Sequence, residues 1–306
     1  MSEIPRNEFV ITLMTDLRQR RYGPAAWRRF LADSWRKSRA TAQAHPPLSR
    51  SWARVSLMLA LLAAGVLSLI WLLEGQQTAL RLLPALLICL ALQQGDVYVH
   101  LGLNWSPTDG RLREQLGLPT TLTLVRGLMA DYLLAHLLSG VIAPPGFTLG
   151  ALLIGSATDI ADGQIARRAN WQTRLGGYLD SEADLYLSTS ATLCALRAGV
   201  LPAWVAAILV LRFAVPLIGA LFSYFIAIRQ VDLTHTILGR SAGAAQSMLL
   251  VAVLAPTALS PISTPIYLPL LVVTLALVVL VPIVEIGKNL PPLIGQAGRK
   301  GGQRSR

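Results

Sequence analysis

Four aspartates carry the most reactive pattern in this 306-residue sequence. Asp159 and Asp162 stand three apart, and Asp180 and Asp184 four apart. On helices those spacings put each pair on one face. Glu182 lies about 200° around the axis from Asp180 and is turned away. If two helices pack across the segment 163–176, four carboxylates converge. Without a counter-charge they repel one another, and a divalent cation removes that cost. Oxygen donors with no nearby His or Cys suit Mg²⁺ or Mn²⁺ rather than Zn²⁺. Two such ions about 3.5–4 Å apart clamp a diphosphate and stabilise both the attacking and the leaving oxygen of an in-line displacement. The expected substrate therefore contains a diphosphate.

The residues between the pairs fit that chemistry. Gly163 is expected to let the backbone turn after Asp162 and to leave room for a flat ligand. Ala166 stays small for the same reason, and Arg167 offers a forked donor to phosphate. Gly176 and Gly177 allow close approach of a helix or ligand to the second pair. Salt bridges to Arg167, Arg168 and Arg174 would account for either acid pair alone. They do not account for the whole spaced set.

The elements that hold these residues are apolar. The chain is 53% hydrophobic and 14% charged, against about 25% charged for a soluble protein, and its mean hydropathy is +0.53. That excludes a water-soluble globular protein and predicts a polytopic all-α membrane bundle. Apolar segments fall at roughly 56–73, 82–101, 120–142, 147–162, 177–199, 202–226, 241–258 and 265–286, each about long enough to cross the hydrocarbon layer. Cys89 and Cys194 lie inside apolar runs, so neither a disulfide framework nor a Cys-based metal site is expected.

Charge gives the expected orientation. Residues 1–55 hold 11 Lys/Arg against 4 Asp/Glu and read as a basic juxtamembrane arm, with no cleaved signal peptide expected. Within it Trp27, Phe30, Leu31 and Trp35 recur at helical spacing among Arg28, Arg29, Arg36 and Lys37, a pattern suited to an anionic membrane surface. Gly23-Pro24 and Pro46-Pro47 should bound that helix. Placing the arm in the cytoplasm puts Arg111, Arg113, Arg167, Arg168, Arg174, Arg229, Arg240 and Lys288 on the same side, whereas 143–146 and 259–264 carry no charge. Both termini and the acidic site are then expected at the cytoplasmic face. Residues 287–306 read as a basic flexible tail.

The string Asp159-x-x-Asp162-Gly163-x-x-Ala166-Arg167, eight residues, Gly176, three residues, Asp180, three residues, Asp184 resembles the signature of the CDP-alcohol phosphatidyltransferase family in every fixed position. Pro119 to Arg126 resembles that family's opening-helix motif, and Arg212 an arginine of its fourth core helix. Gly239-Arg240 with Gln246 resembles the start of the fifth, where the family has Lys in place of Arg240. The resemblance implies a six-helix catalytic core over 118–286, with 56–117 supplying two extra N-terminal transmembrane helices and a loop. It implies transfer of a phosphatidyl or similar group from a CDP-alcohol, with CDP-diacylglycerol the expected donor, to an alcohol, releasing CMP. By the same resemblance Asp159, Asp162 and Asp180 are ligands of two Mg²⁺ or Mn²⁺ ions. Asp184 borders the second ion and is the base. Gly163, Ala166, Arg167 and Gly176 hold the cytidine diphosphate, and Thr123, Arg126 and Arg212 join the substrate-binding set. A homodimer is also implied, and no nucleic-acid partner is expected.

Other features bear on the acceptor and on rival functions. Glycerol 3-phosphate, inositol or its phosphate, and serine are the candidate acceptors. The Pro119–Arg126 string and Arg212 favour glycerol 3-phosphate, whereas Leu185 stands where that branch has Lys. An intramembrane prenyltransferase would also use two acidic motifs around Mg²⁺, but on separate halves of its chain. A cation carrier would use the acids without the glycine, alanine and arginine between them. Arg126, deep in an apolar run, needs an anionic partner, for which Asp131 is a candidate. Asp96, His100, Asp131 and His136 are expected at helix ends or in buried pairs rather than in catalysis.

Overall fold

The computed structural model describes residues 8–225, 237–259 and 267–289. Among these the chain is all-helical, with no strand beyond an isolated bridge between Trp105 and Leu112. Two helices form the arm, α1 (Glu8–Gln19) and α2 (Pro24–Ala44). Eight more match the expected apolar segments in order: α3 (Pro46–Glu74), α4 (Gln76–Val99), α5 (Leu118–Ser139), α6 (Pro145–Arg168), α7 (Arg174–Arg197), α8 (Ala203–Phe225), α9 (Ile237–Leu259) and α10 (Tyr267–Asn289). The tail beyond 289, Arg229 and the side chain of Arg240 lie outside the described residues.

Helix bounds follow backbone chemistry more than hydropathy. Pro24 and Pro46 each open a helix at the position where a missing N–H costs nothing. As a result α3 begins nearly three turns before its apolar run at 56, and the boundary at 55/56 falls inside it. Gly75, at φ 94, reverses the chain between α3 and α4 in a single residue, a conformation that a Cβ would penalise. The segment 163–176 is mostly helix rather than loop, because α6 continues to Arg168 and α7 starts at Arg174.

α3, α4 and α5 are each long and apolar enough to cross a membrane. α6 and α7 match α4 in length, but the acids and arginines along them dilute their apolar character. α3 leaves Leu57, Leu61, Leu69, Leu72 and Leu73 exposed, as suits a helix whose surroundings are lipid. α5 is the opposite case: Leu124, Leu128, Tyr132, Leu133 and Ala135 are fully buried where it packs against α4, α6 and α7. A helix that is buried all round sits at the centre of its bundle. The last half of α6 and the first halves of α5 and α7 meet at one end, and the acidic residues lie there.

Candidate active site

Three helices build the site around one guanidinium. Arg126, on α5, is 1% exposed and ion-pairs with all four motif carboxylates. Its Nη2 lies 2.5 Å from Asp162 and 2.9 Å from Asp180. Its Nη1 lies 3.1 Å from Asp159 and also contacts Asp184. The expected partner Asp131 is not used. It stands five residues along the same helix, and only residues three or four apart share a face. Asp131 is buried, and one carboxyl oxygen has no hydrogen-bond partner.

Asp162 is the buried member of the set, with Thr123 Oγ1 2.9 Å away. The same hydroxyl lies 3.1 Å from the Pro119 carbonyl and donates to one of the two at a time. Asp159, Asp180 and Asp184 each keep about half their side-chain surface open. Asp159, Asp162 and Asp180 bring one oxygen apiece within 4.8 Å of one another. Hard oxygens at that separation from two facing helices fit Mg²⁺ or Mn²⁺. Asp184 stands outside that trio and is joined to it through Arg126.

A cavity of about 270 Å³ opens beside the carboxylates. Asp162, Gly163, Ala166, Arg167, Gly176 and Asp180 line it, together with Pro119, Thr120 and Thr123 of α5. Gly163 makes no turn, since α6 runs straight through it. Its missing side chain instead leaves a flank over which Arg167 folds, with Nη1 3.3 Å from where a Cβ would stand. Arg212 of α8 donates to Gln246 of α9 at 2.8 Å and does not line this cavity. A larger open depression of about 600 Å³, beside Arg50, Arg54 and Gln115, contains none of the carboxylates.

Trp171, Gln172 and Thr173 also line the cavity and were not expected from sequence. Thr173 caps α7, accepting from the Gly176 N–H at 3.0 Å, and Thr-x-x-Gly before a helix was the available signal. Trp171 gave none, because its place depends on a distant contact. Its indole occupies the space that a Cβ on Gly117 would need, 2.0 Å from Nε1. The loop before α5 anchors this corner: Arg174 donates its N–H to the Trp105 carbonyl at 3.0 Å, and Arg113 stacks over Trp171.

Asp96, His100 and His136 lie apart from the four carboxylates. Asp96 pairs with His100 at the end of α4, 3.1 Å apart, and accepts from the Tyr178 hydroxyl at 3.2 Å. Glu182 faces Asp96 on the far side of α7 from the site, as its spacing requires. His136 packs against Phe147.

A sequence model of CDP-alcohol phosphatidyltransferases matches residues 116–282, more than half the chain and all of the site. The chain belongs to the CDP-alcohol phosphatidyltransferase family. One curated relative, a Drosophila melanogaster protein described as "Probable cardiolipin synthase (CMP-forming)", is 38% identical over 108 residues. That stretch is 34% of this chain and 32% of the relative, so the alignment spans about a third of the relative's length. Family membership makes this a metal-dependent transferase fold in a multi-pass membrane protein, and the oxygen-only trio agrees with that chemistry.

Proposed function

We propose that this CDP-alcohol phosphatidyltransferase moves a phosphatidyl group from CDP-diacylglycerol to an alcohol and releases CMP. The observation that carries this reading is the convergence of all four signature carboxylates beside a cavity that the remaining signature residues line. The donor's cytidine diphosphate would lie along Gly163, Ala166 and Gly176, with Arg167 donating to a phosphate oxygen. Asp159, Asp162 and Asp180 would hold the divalent ions, which supply charge neutralisation at the diphosphate when bound. Asp184 takes the proton of the acceptor hydroxyl as its oxygen bonds to the lipid-side phosphorus. The bond from that phosphorus to the CMP oxygen breaks, and CMP carries away the negative charge. The site works at the cytoplasmic face.

The acceptor is a polar alcohol. Glycerol 3-phosphate is favoured by the opening-helix string and Arg212. A second reading comes from the relative named as a CMP-forming cardiolipin synthase. Joining two phosphatidyl groups through one glycerol with loss of CMP needs phosphatidylglycerol as acceptor. Incubating purified protein with radiolabelled CDP-diacylglycerol and each of glycerol 3-phosphate, inositol, serine and phosphatidylglycerol tests both readings. One acceptor should yield labelled lipid and stoichiometric CMP. Asp184→Asn should lose roughly 10²–10⁴-fold in turnover while keeping donor binding, and near-normal turnover in that variant would remove Asp184 as base.

A further inference from the structure

Helix α2 lies across one end of the bundle. Near its start the Trp27 ring is 5.5 Å from that of Phe225, at the end of α8. In its second half the Trp35 ring is 5.2 Å from that of Tyr98 near the end of α4. One turn on, the Ser38 hydroxyl lies 2.9 Å from both the Val99 carbonyl and the Ser34 carbonyl of its own helix, and donates to one of the two at a time. A single residue, His45, then separates α2 from the start of α3. An element that touches the same-side ends of three bundle helices lies at the level where the hydrocarbon stops.

The faces of α2 differ in kind. Trp27, Leu31 and Trp35 follow one another every four residues and so form a slowly drifting stripe. They are 36%, 62% and 52% exposed. Trp27 and Trp35 reach the bundle ends from this stripe, so it faces the membrane side. Leu31 lies between them on the same stripe and is the most exposed of the three. Arg28 and Arg39 border the stripe on one side and Lys37 on the other, with Arg29 and Arg36 opposite. All five are exposed. Arg36 pairs with Asp33 on the outer face.

We propose that α2 is an interfacial helix that seats anionic phospholipid headgroups of the bilayer the protein spans. The Trp27–Leu31–Trp35 stripe enters the acyl boundary, and Arg28, Arg39 and Lys37 extend to lipid phosphates. Charge complementarity selects this occupant: residues 1–55 carry 11 basic against 4 acidic side chains, and a basic segment at this level gathers anionic lipid. The proposal is independent of the reaction assigned to the site.

The test places a nitroxide at Leu31→Cys or at Arg36→Cys in full-length protein whose two native cysteines are replaced by Ser. Each labelled protein is reconstituted into nanodiscs of phosphatidylcholine with or without phosphatidylserine. With phosphatidylserine, the Leu31 label should be accessible to oxygen and several-fold less accessible to a water-soluble nickel chelate than the Arg36 label. Arg28→Gln with Arg39→Gln should weaken the phosphatidylserine dependence of that protection by roughly fivefold per charge. Equal nickel accessibility at both positions would overturn the proposal in favour of a water-facing helix. Protection of Leu31 that is indifferent to phosphatidylserine and to the two arginines would overturn the choice of anionic lipid.

Discussion

Arg126 sets the electrostatics of the site. One guanidinium serves four carboxylates, so the cluster keeps a net charge of roughly −3 when all are ionised, a field that draws divalent cations and excludes anions that arrive alone. Removing a buried partner leaves uncompensated charge and costs about 3–5 kcal/mol. Arg126→Gln should therefore lower the melting temperature in metal-free detergent solution, and Mn²⁺ should raise it more in the variant than in the wild type. An equal Mn²⁺ effect in both would mean that the guanidinium and the ion do not share the carboxylates. The acid pairs were legible in the sequence because i,i+3 and i,i+4 spacing fixes a face whatever the tertiary structure. The partner of Arg126 was not, since it depends on how α5 packs between α6 and α7. Local spacing could offer only Asp131, which is on the wrong side of the helix.

At the scale of helices, close approach of α6 to its neighbours brings the carboxylates together. A Cβ at Gly155 would stand 2.2 Å from Leu187 Cδ2 on α7 and 3.4 Å from the Arg126 side chain. Gly155→Ala should cost about 1–3 kcal/mol through overpacking, read as a lower melting temperature with weaker Mn²⁺ binding. Leu187→Ala in the same chain should restore Mn²⁺ binding. Failure of that second change to restore it would place the strain elsewhere. The order and approximate position of α3 to α10 were legible from apolar runs. Their ends were not, because Pro46, Arg168 and Arg174 extend helices into polar sequence that hydropathy does not register. Trp171 escaped notice for the related reason that its seat against Gly117 joins residues far apart in the chain.

Across the whole molecule, the account requires that the arm, the acidic site and the loop before α5 share one side of the membrane. Asp109 lies in that loop, and Gly146 is the second residue of α6, at the opposite end. In right-side-out cells, a membrane-impermeant maleimide should label Gly146→Cys before lysis and Asp109→Cys only after it, in a background without the native cysteines. Labelling of both positions before lysis would contradict the eight-span arrangement, and the reverse pattern would contradict the cytoplasmic orientation. The fixed residues of the signature made the family legible in the sequence, but not the acceptor, because it is read by side chains outside that signature.

The central claim is that paired carboxylates on two adjoining helices serve a nucleotide-activated lipid. Its most direct test is CMP release by purified protein supplied with CDP-diacylglycerol and an acceptor mixture, with and without Mg²⁺ or Mn²⁺. The account predicts CMP formation that requires the divalent ion and is abolished in Asp159→Asn. Absence of CMP under every ion and acceptor, from protein that still binds Mn²⁺, would contradict it.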